Sequence, residues 1–165
     1  MLHVPDEVKH TIGRALGRIP SGVFILTAEH DGQPLAMMAS WVQQVAFQPP
    51  TISVAIAKER PAHAALSKSG ATFALSVVPE GDTSLMKKYA RGIPAGADPF
   101  EGVHAKRAKH GATVLSDALA FVECRVTKTI EFDADHDLFL AEVIGGELLK
   151  EGASFTHLRG NGFHY

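Results

Sequence analysis

Two short segments carry most of the polar chemistry of this chain. The first is Met37-Met38-Ala39-Ser40-Trp41-Val42-Gln43-Gln44, which brings one hydroxyl, one indole and two amides together just ahead of Pro49-Pro50. Ala39 and Ser40 are small enough to let backbone N–H groups approach an anion. Gln43 and Gln44 can donate and accept at the edge of a heteroaromatic ring, and Trp41 can cover a flat one. The competing reading is an edge strand leaving a sheet with Trp41 in the core, since ligand pockets are few per protein. The second segment is Ala57-Lys58-Glu59-Arg60-Pro61-Ala62-His63. A strand ends, two cations follow, and a helix begins with Pro61 in its first turn. A helix N-terminus attracts anions, and Lys58 and Arg60 reinforce it; a solvated loop is the alternative. One hairpin connection separates the two segments.

A third candidate is His136, in the polar turn Asp133-Ala134-Asp135-His136-Asp137. It reads equally as a group facing a ligand and as a polar anchor for the turn. Metal chemistry finds no support in spacing, and no metal site is expected. Among nine His, close groupings include His104 with His110, His157 with His164, and His136 beside its three Asp. None is a His-x-x-x-His helix pair, and one cysteine gives no thiolate cluster. The acidic turn lacks the later Gly and Glu of a calcium loop. Cys124 reads as a small buried hydrophobe rather than a nucleophile. Neither Gly-x-Gly-x-x-Gly nor Gly-x-x-x-x-Gly-Lys-Ser/Thr occurs, so a nicotinamide cofactor would have to bind without a Rossmann unit.

The elements that must position these groups are mostly strands. Pro5 to Gly17 reads as a helix with Val8, Ile12, Ala15 and Leu16 on one face. Val23 to Ala28 and Pro34 to Trp41 form a hairpin across Asp31-Gly32. Further strands are expected at 51–57, 72–78, 119–132 and 138–149, with a bulge at Gly145-Gly146. Short helices are expected at 61–69, ended by Gly70, and at 83–91, capped by Asp82 or Thr83. Residues 92–111 form a long irregular excursion, of a length that is often functional. Hairpins dominate and strands do not alternate strictly with helices, so an antiparallel barrel with helices packed outside is favoured over a parallel doubly wound sheet.

The 165 residues fit one domain, 1–165, with 45% hydrophobic and 21% charged residues, near globular averages. A net charge of -2 offers no basic excess for nucleic acid or an anionic membrane, so neither partner is expected. The N-terminus lacks the pattern of a signal peptide, no apolar run approaches a membrane span, and the lone Cys fits a reducing compartment; the cytoplasm is the expected location.

Taken together, these motifs resemble the flavin reductase-like proteins, an FMN-binding split-barrel family. The resemblance runs from Ile19-Pro20-Ser21-Gly22-Val23-Phe24 through Gly32-Gln33-Pro34-Leu35-Ala36-Met37-Met38-Ala39-Ser40-Trp41 and Pro49-Pro50. It continues at Leu115-Ser116-Asp117-Ala118-Leu119-Ala120-Phe121-Val122-Glu123-Cys124-Arg125-Val126 and at Asp135-His136-Asp137-Leu138-Phe139-Leu140-Ala141-Glu142-Val143. Ala39-Ser40-Trp41-Val42 and the ending 157–165 are similar to the flavin reductase-like domain of diflavin flavoproteins. Departures from the family pattern are Met38 for Thr, Trp41 for a second Ser, Ser76 for Asn and Ala134 for Gly.

The resemblance implies a mainly β, six-stranded antiparallel split barrel with helices outside, forming a homodimer with FMN near the interface. It implies NAD(P)H:flavin oxidoreductase activity, or an FMN electron-transfer module serving an acceptor protein. Met38, Ala39, Ser40, Trp41, Gln43, Gln44, Lys58, Glu59 and Arg60 are then the cofactor-binding residues. The phosphate would lie against Ser40 and Lys58-Glu59-Arg60, the ribityl chain and ring along Trp41, Gln43 and Gln44. His136 would be the catalytic residue, near the nicotinamide or flavin edge.

Overall fold

β-Branched and apolar residues at alternate positions dictate the strands. In Pro50–Ala57, Ile52, Val54 and Ile56 are buried on one face while Thr51, Ala55 and Ala57 look the other way. The computed structural model describes residues 4–164. It runs α1 (Asp6–Leu16), β1 (Ser21–Gly22), β2 (Phe24–His30), β3 (Gln33–Ala39), β4 (Val42–Phe47), β5 (Pro50–Ala57), α2 (Pro61–Leu66) and β6 (Thr72–Val77). Then follow α3 (Thr83–Ala90), β7 (Ala105–Arg107), β8 (Thr113–Leu115), β9 (Ala120–Ile130), β10 (His136–Leu148) and β11 (Thr156–His157).

Seven strands form one antiparallel sheet in the order β3-β2-β6-β9-β10-β5-β4. A flat sheet of this size would hold its edges about 29 Å apart at the usual strand spacing. Yet the edge strands β3 and β4 are joined by Ser40 and Trp41 alone, and two linking residues reach about 10 Å. The sheet therefore curls until its edges meet at Ser40-Trp41, giving a barrel split at that seam. Leu26, Val54, Ile56, Phe73, Leu75 and Phe139 fill its interior, and Ala62, Ala65 and Leu66 of α2 pack against them. Each such large side chain contributes about 1.5–3 kcal/mol on burial. Outside, α3 lays Leu85 and Tyr89 over Val23, Ile25 and Val78.

Several expectations hold closely. Asp31 and Gly32 both take positive φ, and the Gln33–His30 pair closes the two-residue loop expected of Asp-Gly. Asp82 caps α3 by accepting from the N–H groups of Ser84 and Leu85, both at 3.2 Å. The β9–β10 register shifts between Val143 and Gly145, placing the bulge where the glycine pair stands. A Cβ on Gly145 would meet His110 Cδ2 at 2.8 Å and Glu123 Oε2 at 3.0 Å. Cys124 is fully buried, and burial first, then the neighbouring Glu123, pushes its thiol up to about 12.

Others change. The sheet has seven strands where the resemblance implied six, because Val42–Phe47 pairs with β5 as an edge strand in its own right. β10 starts at His136, so His136 and Asp137 pair with Ala57 and Ile56 instead of lying in a turn. On the apolar stripe of α1, Val8 is 39% and Ile12 43% exposed, and only Leu16, at its end, is half-buried. The helix docks through small residues instead, with Gly13 against the Asn161 side chain and Gly17 against the Arg159 carbonyl. The excursion at 92–111 ends in a small ribbon of β7 with β8.

Candidate flavin site

The seam at Ser40-Trp41 gathers most of the expected site residues. Ser40 is 4% exposed, and its hydroxyl has no hydrogen-bond partner among the described residues. A buried hydroxyl left unpaired costs about 1–3 kcal/mol, so its presence asks for a ligand atom. Ser40 opens on a narrow recess of about 20 Å³, bounded by Met38, Ala39, Ala57 and Arg60. That is room for about one water or one phosphate oxygen. The Arg60 side chain has no hydrogen-bond or ion-pair partner among the described residues. A donor hydroxyl and an unspent guanidinium on one recess fit a phosphate oxygen.

Trp41 lies outside the core, 36% exposed. Its ring centroid is 4.9 Å from that of His136 at an interplanar angle of 45°, and Arg159 Cζ lies 5.1 Å over it. The indole thus sits between a cation and an imidazole. It forms one side of a cleft of about 680 Å³ whose other walls include Gly22, Gln43, Ser53, Ala55 and Phe155. His136 is 9% exposed, with Nδ1 2.8 Å from Asp135 Oδ1. The hydrogen bond from His136 first, opposed by partial burial and aided by Lys58, holds the Asp135 carboxyl below its usual range.

Three expected residues are set apart: Gln44, Lys58 and Glu59, the last of which bounds neither the recess nor the Trp41 cleft. Gln44 follows Gln43 on β4, bounds none of these spaces, and its amide donates to the Ala46 carbonyl at 3.3 Å. Lys58 spends its ammonium on the Phe132 carbonyl at 3.0 Å and on Asp137 Oδ1 at 3.4 Å. The helix N-terminus also contributes little. Pro61 has no N–H, and the His63 N–H already donates to the Arg60 carbonyl at 2.9 Å. The positive charge facing the recess is Arg60's.

The sequence singled out neither His63 nor Asp137 for a role, yet they form the support of the site. His63 Nε2 is 2.7 Å from Asp137 Oδ2, and the Asp137 side chain is 3% exposed. The His63 hydrogen bond first, then Lys58, holds the Asp137 carboxyl below its usual range against the opposing effect of burial. With the Lys58 N–H donating to the Asp135 carbonyl at 2.9 Å, the turn 58–60 is fastened to the start of β10. Only the antiparallel pairing of β5 with β10 brings these groups together. Ser76, at the position of a family Asn, is buried and accepts from the Leu115 N–H at 3.0 Å, a bond that anchors β8.

Residues 16–161 match the flavin reductase like domain model. Diflavin flavoprotein A 1 of Synechocystis sp. is 40% identical over 92% of this chain, which spans 26% of that protein's length. A putative diflavin flavoprotein A 5 of Nostoc sp. is 38% identical over 99% of the chain and 29% of its own length. Among solved structures, the NADH:FAD oxidoreductase SgcE6 of Streptomyces globisporus superposes with a TM-score of 0.83 at 26% identity, covering 96% of this chain and 93% of the other. The flavin reductase PheA2, at 23% identity and TM-score 0.78 over 95% of each chain, shares the fold. The curled sheet, the seam at Ser40-Trp41 and the match over 16–161 agree: this chain belongs to the flavin reductase-like domain family.

Proposed function

We propose that the chain binds a flavin by its FMN portion and works as an NAD(P)H:flavin oxidoreductase. The observation that carries this reading is the orphaned, buried Ser40 hydroxyl sharing a recess with the unspent Arg60 guanidinium. Ser40 donates to a flavin phosphate oxygen and Arg60 neutralises its charge, with Ala39 and Met38 shaping the recess. Trp41 and Gln43 border the ring and ribityl side in the 680 Å³ cleft, where the Gln43 amide offers donor and acceptor to the polar ring edge. When bound, the flavin supplies the redox chemistry, accepting a hydride from the dihydronicotinamide. The chain's own work is to bind, orient and shield. His136 orients the Trp41 indole from behind and, on this reading, is the residue nearest the nicotinamide. Lys58 and Glu59 act at one remove, Lys58 by fixing the turn through Asp137.

A second copy of the chain completes the assembly. Phe47, 91% exposed, and Val45, 50% exposed, stand on the free edge strand β4, an apolar edge that a homodimer would cover. A second reading, an electron-transfer module handing electrons to a protein acceptor, is favoured by one fact: the chain spans 26% of the diflavin relative it matches. Both readings share the flavin. Anaerobic addition of NADH or NADPH to the flavin-loaded protein separates them: rapid bleaching of the flavin bands supports the reductase, and bands that persist support the module.

A further inference from the structure

The outer side of α1 carries a charged face that the flavin site leaves unused. An open groove of about 630 Å³ runs along it, bounded by His10, Thr11, Arg14, Arg18 and Gly160. All five are exposed, so the groove offers a surface and encloses nothing. His10 and Arg14, four residues apart, share one side of the helix, and Arg18 continues their line past its end. Neither His10 nor Arg14 has a hydrogen-bond or ion-pair partner among the described residues. Arg18 meets no carboxylate; it donates to the Arg159 carbonyl at 2.7 Å. Lys9 and Asp6 pair with each other at 3.5 Å, and Glu7 stands about 10 Å along the axis from Arg14.

The charge is segregated in the chain as a whole. Residues 8–28 and 152–165 hold Lys9, Arg14, Arg18 and Arg159 and no Asp or Glu, although the net charge is -2. The fold fastens these two stretches together: the Arg159 N–H donates to the Gly17 carbonyl at 3.2 Å and the Gly162 N–H to the Gly13 carbonyl at 2.6 Å. Val8 and Ile12 on one stretch and Leu158 and Phe163 on the other are exposed. Arginines set among exposed apolar side chains have the composition of a protein interface. The face also adjoins the redox site, since Arg159 lies over the Trp41 ring and Trp41 borders the flavin cleft.

We infer that this face docks an acidic protein that takes electrons from the flavin one at a time. The inference rests on the flavin reading above and names the docking surface of its electron-transfer form. The reduced flavin, formed by the dihydronicotinamide, gives one electron to each of two acceptor proteins in turn, releases two protons to solvent and returns to the oxidised form. His10, Arg14 and Arg18 face the carboxylates of the acceptor, and Val8 and Ile12 its apolar side chains. The net charge of the chain would repel an acidic protein, so attraction to one is the signature of this local face.

The test uses the full chain in excess over flavin, reduced with one equivalent of dithionite and mixed with either of two one-electron probes. Plastocyanin is the acidic probe and cytochrome c the basic one, each followed by stopped-flow absorbance across ionic strengths. Reduction of plastocyanin should slow by about fivefold or more between about 10 mM and about 300 mM salt. Arg14→Glu should remove most of that dependence and slow plastocyanin at low salt by about threefold or more, without slowing cytochrome c; Arg14→Lys should behave as the native chain. Reduction of plastocyanin that is indifferent to salt, or quickens with it, overturns the inference and leaves the flavin reading standing. An equal loss for both probes in R14E also overturns it. If the native chain self-associates in sedimentation velocity and R14E disperses it, the face joins two copies of the chain and the acidic partner is wrong. A chain that takes up no flavin overturns both readings.

Discussion

His63 Nε2 and Asp137 Oδ2 lie 2.7 Å apart, and this one contact ties the first turn of α2 to the first residues of β10. It also draws Lys58 onto Asp137, which leaves Arg60 as the free cation of the turn. The Asp137 carboxyl titrates below its usual value because His63 donates to it and Lys58 faces it. A lowered folded-state value stabilises the fold above the unfolded carboxylate value of about 3.9 and loses that stabilisation as pH falls through the folded value. Asp137→Asn should therefore lose less stability than the native chain between about pH 6 and about pH 3. Urea midpoints at both values check this; equal acid losses in the two proteins would remove Asp137 from the role.

Flavin affinity should respond unequally to the turn's two cations. Arg60→Gln should weaken it by about tenfold or more, the loss of a charge-assisted bond to phosphate. Lys58→Gln should weaken it less, because the Lys58 ammonium is committed to Asp137 and the Phe132 carbonyl. Fluorescence titration of both variants reads the difference, and a larger loss in Lys58→Gln would reverse the assignment.

The contact between Trp41 and His136 predicts a rate effect separable from binding. His136→Ala should slow flavin reduction by dihydronicotinamide about tenfold or more through lost orientation, with flavin affinity changed by about twofold at most. Stopped-flow absorbance under anaerobic conditions measures the rate, and an unchanged rate would make His136 a structural anchor only.

Much of this fold was legible because its signals are local. Asp31-Gly32 fixes a hairpin through positive φ, Asp82 caps α3 with its own carboxylate, and Gly145 marks a bulge that leaves no room for a Cβ. The Ser40–Arg60 pairing was half legible: each segment read as anion-binding, and only the curled sheet brings them to one recess. Asp137 and His63 were illegible because their roles depend on the β5–β10 register. The facing of α1 was open in the sequence for a similar reason. Periodicity shows that Val8 and Ile12 share a stripe, while the close approach of Gly13 to Asn161 decides which side is inward.

Phe47 gives a test of assembly. Phe47→Asp should shift a dimer toward monomer without unfolding it, since the side chain is 91% exposed and carries no core packing. Sedimentation velocity with a circular dichroism control checks the result; a native chain that is monomeric throughout would discard the homodimer.

The most direct measurement is a difference-absorbance titration of the native chain and Ser40→Ala with flavin. The native chain should show saturable perturbation of the flavin bands at one flavin per chain, and Ser40→Ala should weaken it by about threefold to tenfold. No perturbation of the bands by FMN or FAD in the native chain, at any concentration, would contradict a flavin at the Ser40–Arg60 recess.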